Sequence, residues 1–185
     1  DVEVVQYDGY VARNFTEMSA VPYNNVWSSD RDQINTRSGE TPKFNDPMLN
    51  KQWHYKNTGD ETLVSPIKEG CDINVEPAWE FCTGDPSIIV AVMEGVMYKH
   101  EDLAANMWVN QAELNGQKGV DDDGNGYVDD VYGYNFAKDQ GDITWTDPED
   151  SGHGTHVAGT ISAVNNNGIG VCGIAGGSGN NDGVK

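Results

Sequence analysis

Five apolar residues in succession, at positions 88–92, follow the turn-forming pair Asp85 and Pro86. Their order is Ile-Ile-Val-Ala-Val, and Gly95 stands just beyond them. A strand with one face in water alternates apolar and polar residues, whereas a strand buried on both faces is apolar throughout. Double burial is typical of parallel sheets, which carry helices on both faces. The run therefore predicts a strand that is buried on both faces, as in a parallel sheet.

A helix is predicted to begin at Ser151 and Gly152, since both residues favour helix starts and Ser151 can act as the N-cap. Three apolar residues recur on one face of this helix at i, i+4 and i+7: Val157, Ile161 and Val164. This spacing indicates a helix with one buried side. Gly154 and Gly159 weaken a helix, so their presence indicates close packing against another backbone.

Two histidines lie early in the predicted helix. His153 falls in the first turn, where the helix dipole disfavours the charged imidazolium. A histidine that is neutral near pH 7 is suited to act as a general base. A buried, hydrogen-bonded structural histidine is the alternative. A zinc site formed with His156 is disfavoured, because the spacing is i, i+3 rather than i, i+4 and the other histidines are far away in the sequence.

The chain is strongly acidic, with 30 acidic and 11 basic residues and a formal net charge of −19. This balance argues against binding to nucleic acid or to anionic membranes, and no stretch is suited to membrane insertion. The surplus is concentrated in residues 121–150, which hold ten Asp or Glu and one Lys, a net charge of −9. Such density needs solvation or bound cations. Three cysteines are an odd number, so no disulfide framework is predicted.

The acidic segment contains a loop of the calcium-binding type Asp-x-Asp-x-Asn-Gly. Hard oxygen donors on a flexible turn favour Ca²⁺ over zinc. The glutamate expected at the twelfth position of such a loop is replaced by Tyr132, so Asp129 or Asp130 must complete the shell. The predicted ligands are Asp121, Asp123, Asn125, the Tyr127 carbonyl and Asp130. A solvated acidic turn without a metal is the alternative.

The segment 151–160, Ser-Gly-His-Gly-Thr-His-Val-Ala-Gly-Thr, resembles the histidine motif of the subtilisin-like serine proteases. The resemblance implies that His153 is the base of a Ser-His-Asp triad and that His156 supports it. It also implies a subtilisin-like fold, a three-layer α/β sandwich with a mostly parallel sheet, which is incomplete in this chain. Some members of the family carry an insert similar to residues 119–134, which supports a calcium site with a role in stability.

The resemblance extends to positions 90–103, but the triad aspartate is not there. The family places this aspartate at the C-terminal end of the first core strand. Met93 stands at its position when the segments are aligned on Gly95, whereas alignment on the strand requires a one-residue deletion. Three explanations remain open: a substitution or deletion that disables the triad, a modified aspartate without a one-letter code, or Glu94 as a stand-in. Alternation along a strand turns Glu94 to the other face unless the strand end bends.

The catalytic domain is expected to begin near residue 44, because Asn-Asp-Pro at 45–47 and Gln-Trp at 52–53 resemble its start in the family. Residues 1–43 are then a propeptide remnant or a processed linker, and residues 44–185 are the N-terminal part of the domain. The family's nucleophilic serine lies in a Gly-Thr-Ser motif far beyond the histidine. Ser178 lacks that context and is interpreted as a turn residue. A second chain that carries the rest of the domain is therefore expected as a partner.

These features predict a subtilisin-like serine endopeptidase that hydrolyses peptides or proteins through an acyl-enzyme. The same resemblance implies zymogen processing and a secreted or cell-envelope location, where calcium is plentiful. A pseudoprotease that keeps the fold and the peptide cleft but lacks turnover is the main alternative. A calcium-stabilised structural module accounts for the acidic loop but not for the histidine motif. Substrate specificity is not determined by these motifs.

Overall fold

Helices and irregular segments, rather than strands, make up the part of the chain described by a computed structural model, which covers residues 44–144 and 151–185. Three α-helices lie in these ranges: α1 (Glu76–Trp79), α2 (Gln111–Asn115) and α3 (Ser151–Ser162). Two 3₁₀ turns accompany them, at Leu49–Lys51 and Ala104–Asn106. Strand pairing within these ranges is limited to isolated bridges, such as Asn135 with Gln140.

All of these elements belong to the larger of two compact units, Thr41–Lys185. The propeptide remnant or linker predicted at residues 1–43 lies outside the described residues. Among the described helices, none has both the length and the apolar character needed to cross a membrane.

The apolar run at positions 88–92 is extended but differs from the predicted buried strand. Ile88, Ile89 and Val90 are 54%, 61% and 40% exposed. The Val90 N–H donates to the Lys185 carbonyl (2.7 Å), and the Lys185 N–H donates to the Ile88 carbonyl (2.9 Å). These two bonds form one step of a parallel ladder centred on Ile89. Parallel pairing joins segments that are far apart in the sequence. Here, within the described residues, the pairing is limited to this one pair of hydrogen bonds, and the side chains on both faces of the run remain exposed to water.

The helix α3 begins at Ser151, as predicted, and places His153 in its first turn. Its buried positions include Gly154 and Ala158, one turn apart, whereas Val157 is only partly buried. The face that packs most closely is therefore the one with the smallest side chains, and not the one with the largest apolar side chains.

Close approach explains this choice of face. A Cβ atom added at Gly154 would lie 2.7 Å from the Glu94 Cβ and would also collide with the Gly95 carbonyl. Such an approach requires glycine, because any larger residue would push the two backbones apart. The predicted close packing is thus confirmed for Gly154. It is wrong for Gly159, where an added Cβ would meet nothing within 4 Å in the described chain.

Two small clusters of buried apolar side chains hold the unit together. The first cluster consists of Tyr55, Val75, Trp79 and Cys172. The second consists of Val96, Leu103, Ala158 and Ala163. The Tyr55 hydroxyl lies 2.9 Å from the Cys172 carbonyl and 3.3 Å from the Thr160 carbonyl, so it links the first cluster to α3. The second cluster packs α3 against the segment that follows Glu94.

Candidate active site

Glu94 and His153 meet at the N-terminal end of α3. Oε2 of Glu94 lies 2.5 Å from Nδ1 of His153. When the carboxylate is ionised it can only accept, so the imidazole then donates through Nδ1–H, and in this neutral tautomer Nε2 is the nitrogen that can accept a proton. Both side chains meet solvent, with 38% of Glu94 and 68% of His153 exposed. The arrangement places a carboxylate against a histidine, a pairing that general-base chemistry can use.

A bend in the chain directs Glu94 to this position. The backbone bends at Glu94, and the preceding Met93 is 86% exposed. Because of the bend, the alternation of side chains along a regular strand does not apply here. Met93 is the residue that aligns with the family's aspartate on Gly95, but the structure brings the neighbouring Glu94 to His153.

His156 and Ser178, which the sequence analysis also considered, lie apart from the contact between Glu94 and His153. His156 is exposed on α3 and lies near His54, whose pKa is lowered from its ordinary value of 6.5 mainly by burial and next by the charge of His156. Ser178 donates its hydroxyl to Oδ2 of Asp182 (2.7 Å) and its N–H to Oδ1 of the same residue (2.7 Å). These bonds are typical of a turn residue.

The acidic loop folds as a turn in which carboxylates accept backbone N–H groups. Asp121 accepts bonds from Gly124 (2.7 Å), Asn125 (3.1 Å) and Gly126 (2.8 Å). These bonds, the one from Gly126 first, hold the pKa of the Asp121 carboxyl below its ordinary value of 3.8. Tyr127 donates its N–H to Oδ1 of Asn125 (2.7 Å). The first half of the loop is therefore ordered around an ionised aspartate.

Asp130, rather than Asp129, joins the side chains of this loop. Asp130 is buried, and its two oxygens accept from Nδ2 of Asn125 (2.9 Å) and of Asn110 (2.8 Å). The same Asn110 nitrogen lies 2.9 Å from Oδ2 of Asp123. Asp129 instead accepts the backbone N–H of Gly119 with both of its oxygens, at 2.9 and 3.0 Å. The structure thus groups Asp130 with Asp123 and Asn125.

Glu113 is a candidate metal ligand that the loop pattern did not reveal. Carboxylate oxygens of Glu113, Asp121 and Asp123 all lie within 4.8 Å of one another. Glu113 is buried on α2, and it accepts the N–H groups of Asp122 (2.6 Å) and Asp129 (2.9 Å). It precedes the loop, whereas the pattern places its glutamate at the end. Three carboxylates so close repel one another, and their hard oxygen donors fit a cation such as Ca²⁺.

A second group of buried carboxylates, which the sequence analysis did not single out, lies near the segment that follows α3. Asp102 accepts the Val171 N–H (3.0 Å) and Nδ2 of Asn167 (2.7 Å). Burial raises the pKa of Asp102, and the charge of buried Asp46 acts in the same direction. Asp46 accepts the Cys172 thiol (3.2 Å), while its Oδ1 has no hydrogen-bond partner among the described residues. Hydrogen bonds from Asn166, Val171 and Asn167 offset part of the cost of burying these two carboxylates.

Comparison with known proteins places these sites in context. The family described as the subtilase family matches residues 85–179. "Subtilisin-like protease 1" of Plasmodium vivax is 43% identical over 134 residues, which are 72% of this chain and 19% of the relative. "Extracellular protease" of Xanthomonas campestris is 33% identical over an alignment of 166 positions that covers 82% of this chain and 24% of the relative. "Neuroendocrine convertase 2" of Bos taurus is 35% identical over 135 residues.

A solved structure is also similar. A serine protease of Aeromonas sobria, crystallised with its chaperone, superposes with a TM-score of 0.50 at 30% identity, over 71% of this chain and 18% of that one. The likeness supports a subtilisin-like α/β fold. The chain spans about a fifth of the length of these relatives, as the coverage of 19% for the Plasmodium vivax protein illustrates.

Proposed function

The chain belongs to the subtilase family, and on this premise we propose that it is the N-terminal part of the catalytic domain of a serine endopeptidase. The observation that carries the proposal is the contact between Glu94 and His153 in the first turn of α3. This contact supplies a general base and the carboxylate that orients it. The proposed substrates are peptides or proteins, and the proposed reaction is hydrolysis of a peptide bond through an acyl-enzyme.

In this reaction a serine hydroxyl attacks the carbonyl carbon of the scissile bond while Nε2 of His153 takes the hydroxyl proton. Glu94 holds Nδ1–H and stabilises the imidazolium that forms. His153 then gives its proton to the leaving amine as the carbon–nitrogen bond breaks, and the acyl group remains on the serine. A water molecule attacks this ester with His153 again as the base. His153 returns this proton to the serine oxygen as the ester bond breaks, which regenerates the serine and releases the carboxylic acid product.

The nucleophilic serine is proposed to lie on a segment outside residues 1–185. Two observations support this: relatives such as the Plasmodium vivax protein are covered to only 19% of their length, and Ser178 is bonded to Asp182 within its own turn. The proposed partner is accordingly a polypeptide, in the same or a second chain, that carries the rest of the domain and the groups that stabilise the oxyanion.

A serine-directed fluorophosphonate probe tests the proposal on the complete protein. We expect the wild type to be labelled on one serine, and Glu94→Gln to be labelled about 10⁴-fold more slowly. This magnitude is that measured for loss of the orienting carboxylate in serine proteases, a subtilase among them. His153→Ala should lose labelling to a similar or greater extent. Glu101→Gln is the matched control, because Glu101 is an exposed glutamate in the same region.

The outcomes separate two roles. Wild-type protein that is not labelled would exclude the endopeptidase and favour the second candidate, a pseudoprotease that binds peptides without hydrolysing them. The observation behind this second candidate is the loss of the family's aspartate at positions 93–94. Labelling that is equally fast in the wild type and in Glu94→Gln would leave the endopeptidase intact but remove Glu94 from its triad.

We also propose that the loop at residues 119–134 binds Ca²⁺ and thereby stabilises the fold. The proposed ligands combine the residues of the loop pattern with the buried carboxylate on α2: Asp121, Asp123, Asn125, the Tyr127 carbonyl, Asp130 and Glu113. The proximity of Glu113, Asp121 and Asp123 supports this assignment. Bound Ca²⁺ would offset their mutual repulsion, so that binding adds to the free energy of unfolding.

The location and maturation of the protein are proposed from its relatives. A secreted or cell-envelope location agrees with the name of the Xanthomonas campestris relative, "Extracellular protease". Residues 1–43 are proposed to be the remnant of a propeptide or a processed linker. Mass spectrometry of the protein purified from its source would test this, since processing predicts a chain that begins near residue 44.

A further inference from the structure

We propose that Thr155 is a positioning residue for the Glu94–His153 pair. The inference rests on the proposed function, because it concerns how the carboxylate is held against the base. Oγ1 of Thr155 accepts a hydrogen bond from the backbone N–H of Met97 (3.1 Å). Thr155 lies two residues after His153, and Met97 lies three residues after Glu94. The bond therefore ties together the two segments that carry the pair.

The backbone of α3 at Gly154 also lies directly against the backbone at Glu94 and Gly95. A Cβ atom added at Gly154 would lie 2.7 Å from the Glu94 Cβ and against the Gly95 carbonyl. The first turn of α3 therefore rests on the peptide that follows Glu94. Three successive residues of α3 contact this segment. His153 contacts the Glu94 carboxylate, Gly154 allows the two backbones to approach, and Thr155 accepts the hydrogen bond from Met97.

Solvent exposure explains why such an anchor is needed. With 38% of Glu94 and 68% of His153 exposed, water screens the attraction between the two side chains. Glutamate also has one more rotatable bond than aspartate, so holding it in one conformation costs more entropy. A fixed backbone separation reduces the conformations open to the pair. The Thr155–Met97 bond supplies this restraint.

The experiment measures the tautomer of His153 in the full chain labelled with ¹⁵N-histidine, at a pH where the imidazole is neutral. A carboxylate that accepts from Nδ1 favours the Nδ1–H tautomer, and the two ring nitrogens report its fraction by NMR. Thr155→Val is expected to lower the ratio of Nδ1–H to Nε2–H tautomers by up to about 12-fold, the limit reached if the whole free energy of one hydrogen bond acts on the pair. Thr155→Ser, which keeps the hydroxyl, should restore the ratio.

Three further variants complete the design. Thr160→Val is the matched control, because the Thr160 hydroxyl donates within α3, to the His156 carbonyl (3.0 Å). It should leave the ratio unchanged. Gly154→Ala keeps the Thr155 hydroxyl but forces the two backbones apart, and it should also lower the ratio. Glu94→Gln gives the value expected when the carboxylate is lost.

The outcomes distinguish the positioning role from the pair itself. A ratio that falls in Glu94→Gln and in Thr155→Val, and recovers in Thr155→Ser, supports the proposal. A ratio that falls in Glu94→Gln but stays at the wild-type value in Thr155→Val overturns the role of Thr155 and leaves the pair intact. A ratio that Glu94→Gln does not change means that the pair is not formed in solution, and both proposals about Glu94 then fail.

Discussion

Glu94 has a longer side chain than the aspartate that the family carries in this region, and its carboxylate contacts His153. One additional methylene lets the carboxylate reach Nδ1 of His153 from a bent backbone, at 2.5 Å. The neighbouring Met93 has no carboxylate and is 86% exposed. The contact in the candidate triad therefore depends on the Glu94 side chain and on the backbone bend at Glu94 that directs it towards His153.

His54 predicts a pH dependence of stability. Its pKa lies below the ordinary value of 6.5, chiefly because of burial and next because of His156. The unfolded chain therefore binds the proton more tightly, so the free energy of unfolding falls as the pH drops below about 6.5 towards the folded-state pKa. We expect His54→Gln to show a smaller fall over this range. Urea unfolding at a series of pH values measures it.

The variant His156→Gln checks whether His54 is the source of this pH dependence. His156→Gln removes only the second cause, so its fall in stability should lie between those of the wild type and His54→Gln. Parallel pH profiles for all three proteins would mean that His54 does not produce the dependence.

At the scale of secondary structure, the short helix α2 and the acidic loop form one unit. α2 starts after Asn110, whose Oδ1 accepts the Ala112 N–H (3.2 Å) and caps the helix. The Asn110 amide nitrogen meanwhile bonds to Asp123 and Asp130 of the loop. A five-residue helix has little stability of its own. Its contacts with the loop therefore position Glu113, and the loop depends on Glu113 in return.

Calcium titration tests this unit. We expect Glu113→Gln to weaken Ca²⁺ binding at least about tenfold, because it removes one of three clustered carboxylates. Isothermal titration calorimetry with CaCl₂ gives the affinity, and thermal melts with and without chelator give the stabilisation. Glu101→Gln should bind Ca²⁺ as the wild type does. Equal affinity in Glu113→Gln would exclude Glu113 as a ligand, and a wild-type melt unaffected by chelator would exclude the site.

At the scale of the whole molecule, two buried clusters and one tyrosine connect segments distant in the sequence. Tyr55 packs edge-on against Trp79, with ring centroids 5.7 Å apart, and its hydroxyl bonds to the Cys172 carbonyl. Leu103 belongs to the second cluster, which packs against Ala158 of α3. Each cluster is too small to be stable alone, so the described unit is expected to unfold in one transition.

Truncation of one buried side chain tests this cooperativity. Leu103→Ala is expected to lower the free energy of unfolding by about 2–5 kcal/mol, since it removes buried methyl groups and leaves a cavity. Leu114→Ala, at an exposed leucine of α2, should change it by less than about 0.5 kcal/mol. Urea unfolding followed by tryptophan fluorescence and by circular dichroism should give one midpoint. Two separate midpoints, or equal effects of the two variants, would contradict a single cooperative unit.

Local patterns in the sequence determined the features that depend on neighbouring residues. The start of α3 and the place of His153 in its first turn followed from the helix-starting residues Ser151 and Gly152. The turn of the acidic loop followed from alternating acidic residues and glycines, since these side chains bond to backbone groups two to five residues away. Such interactions are encoded within a few residues, and sequence periodicity is enough to predict them.

Only the tertiary structure decided which distant groups meet. Glu94 and His153 are 59 residues apart, and the bend that joins them lies where regular alternation predicts the opposite direction. Glu113 reaches the acidic loop from a preceding helix and fits no spacing rule. Burial of the run at 88–92 was predicted from its composition, yet Ile89 is 61% exposed. Burial and long-range contacts depend on which segments pack together, and composition along one segment does not specify its neighbours.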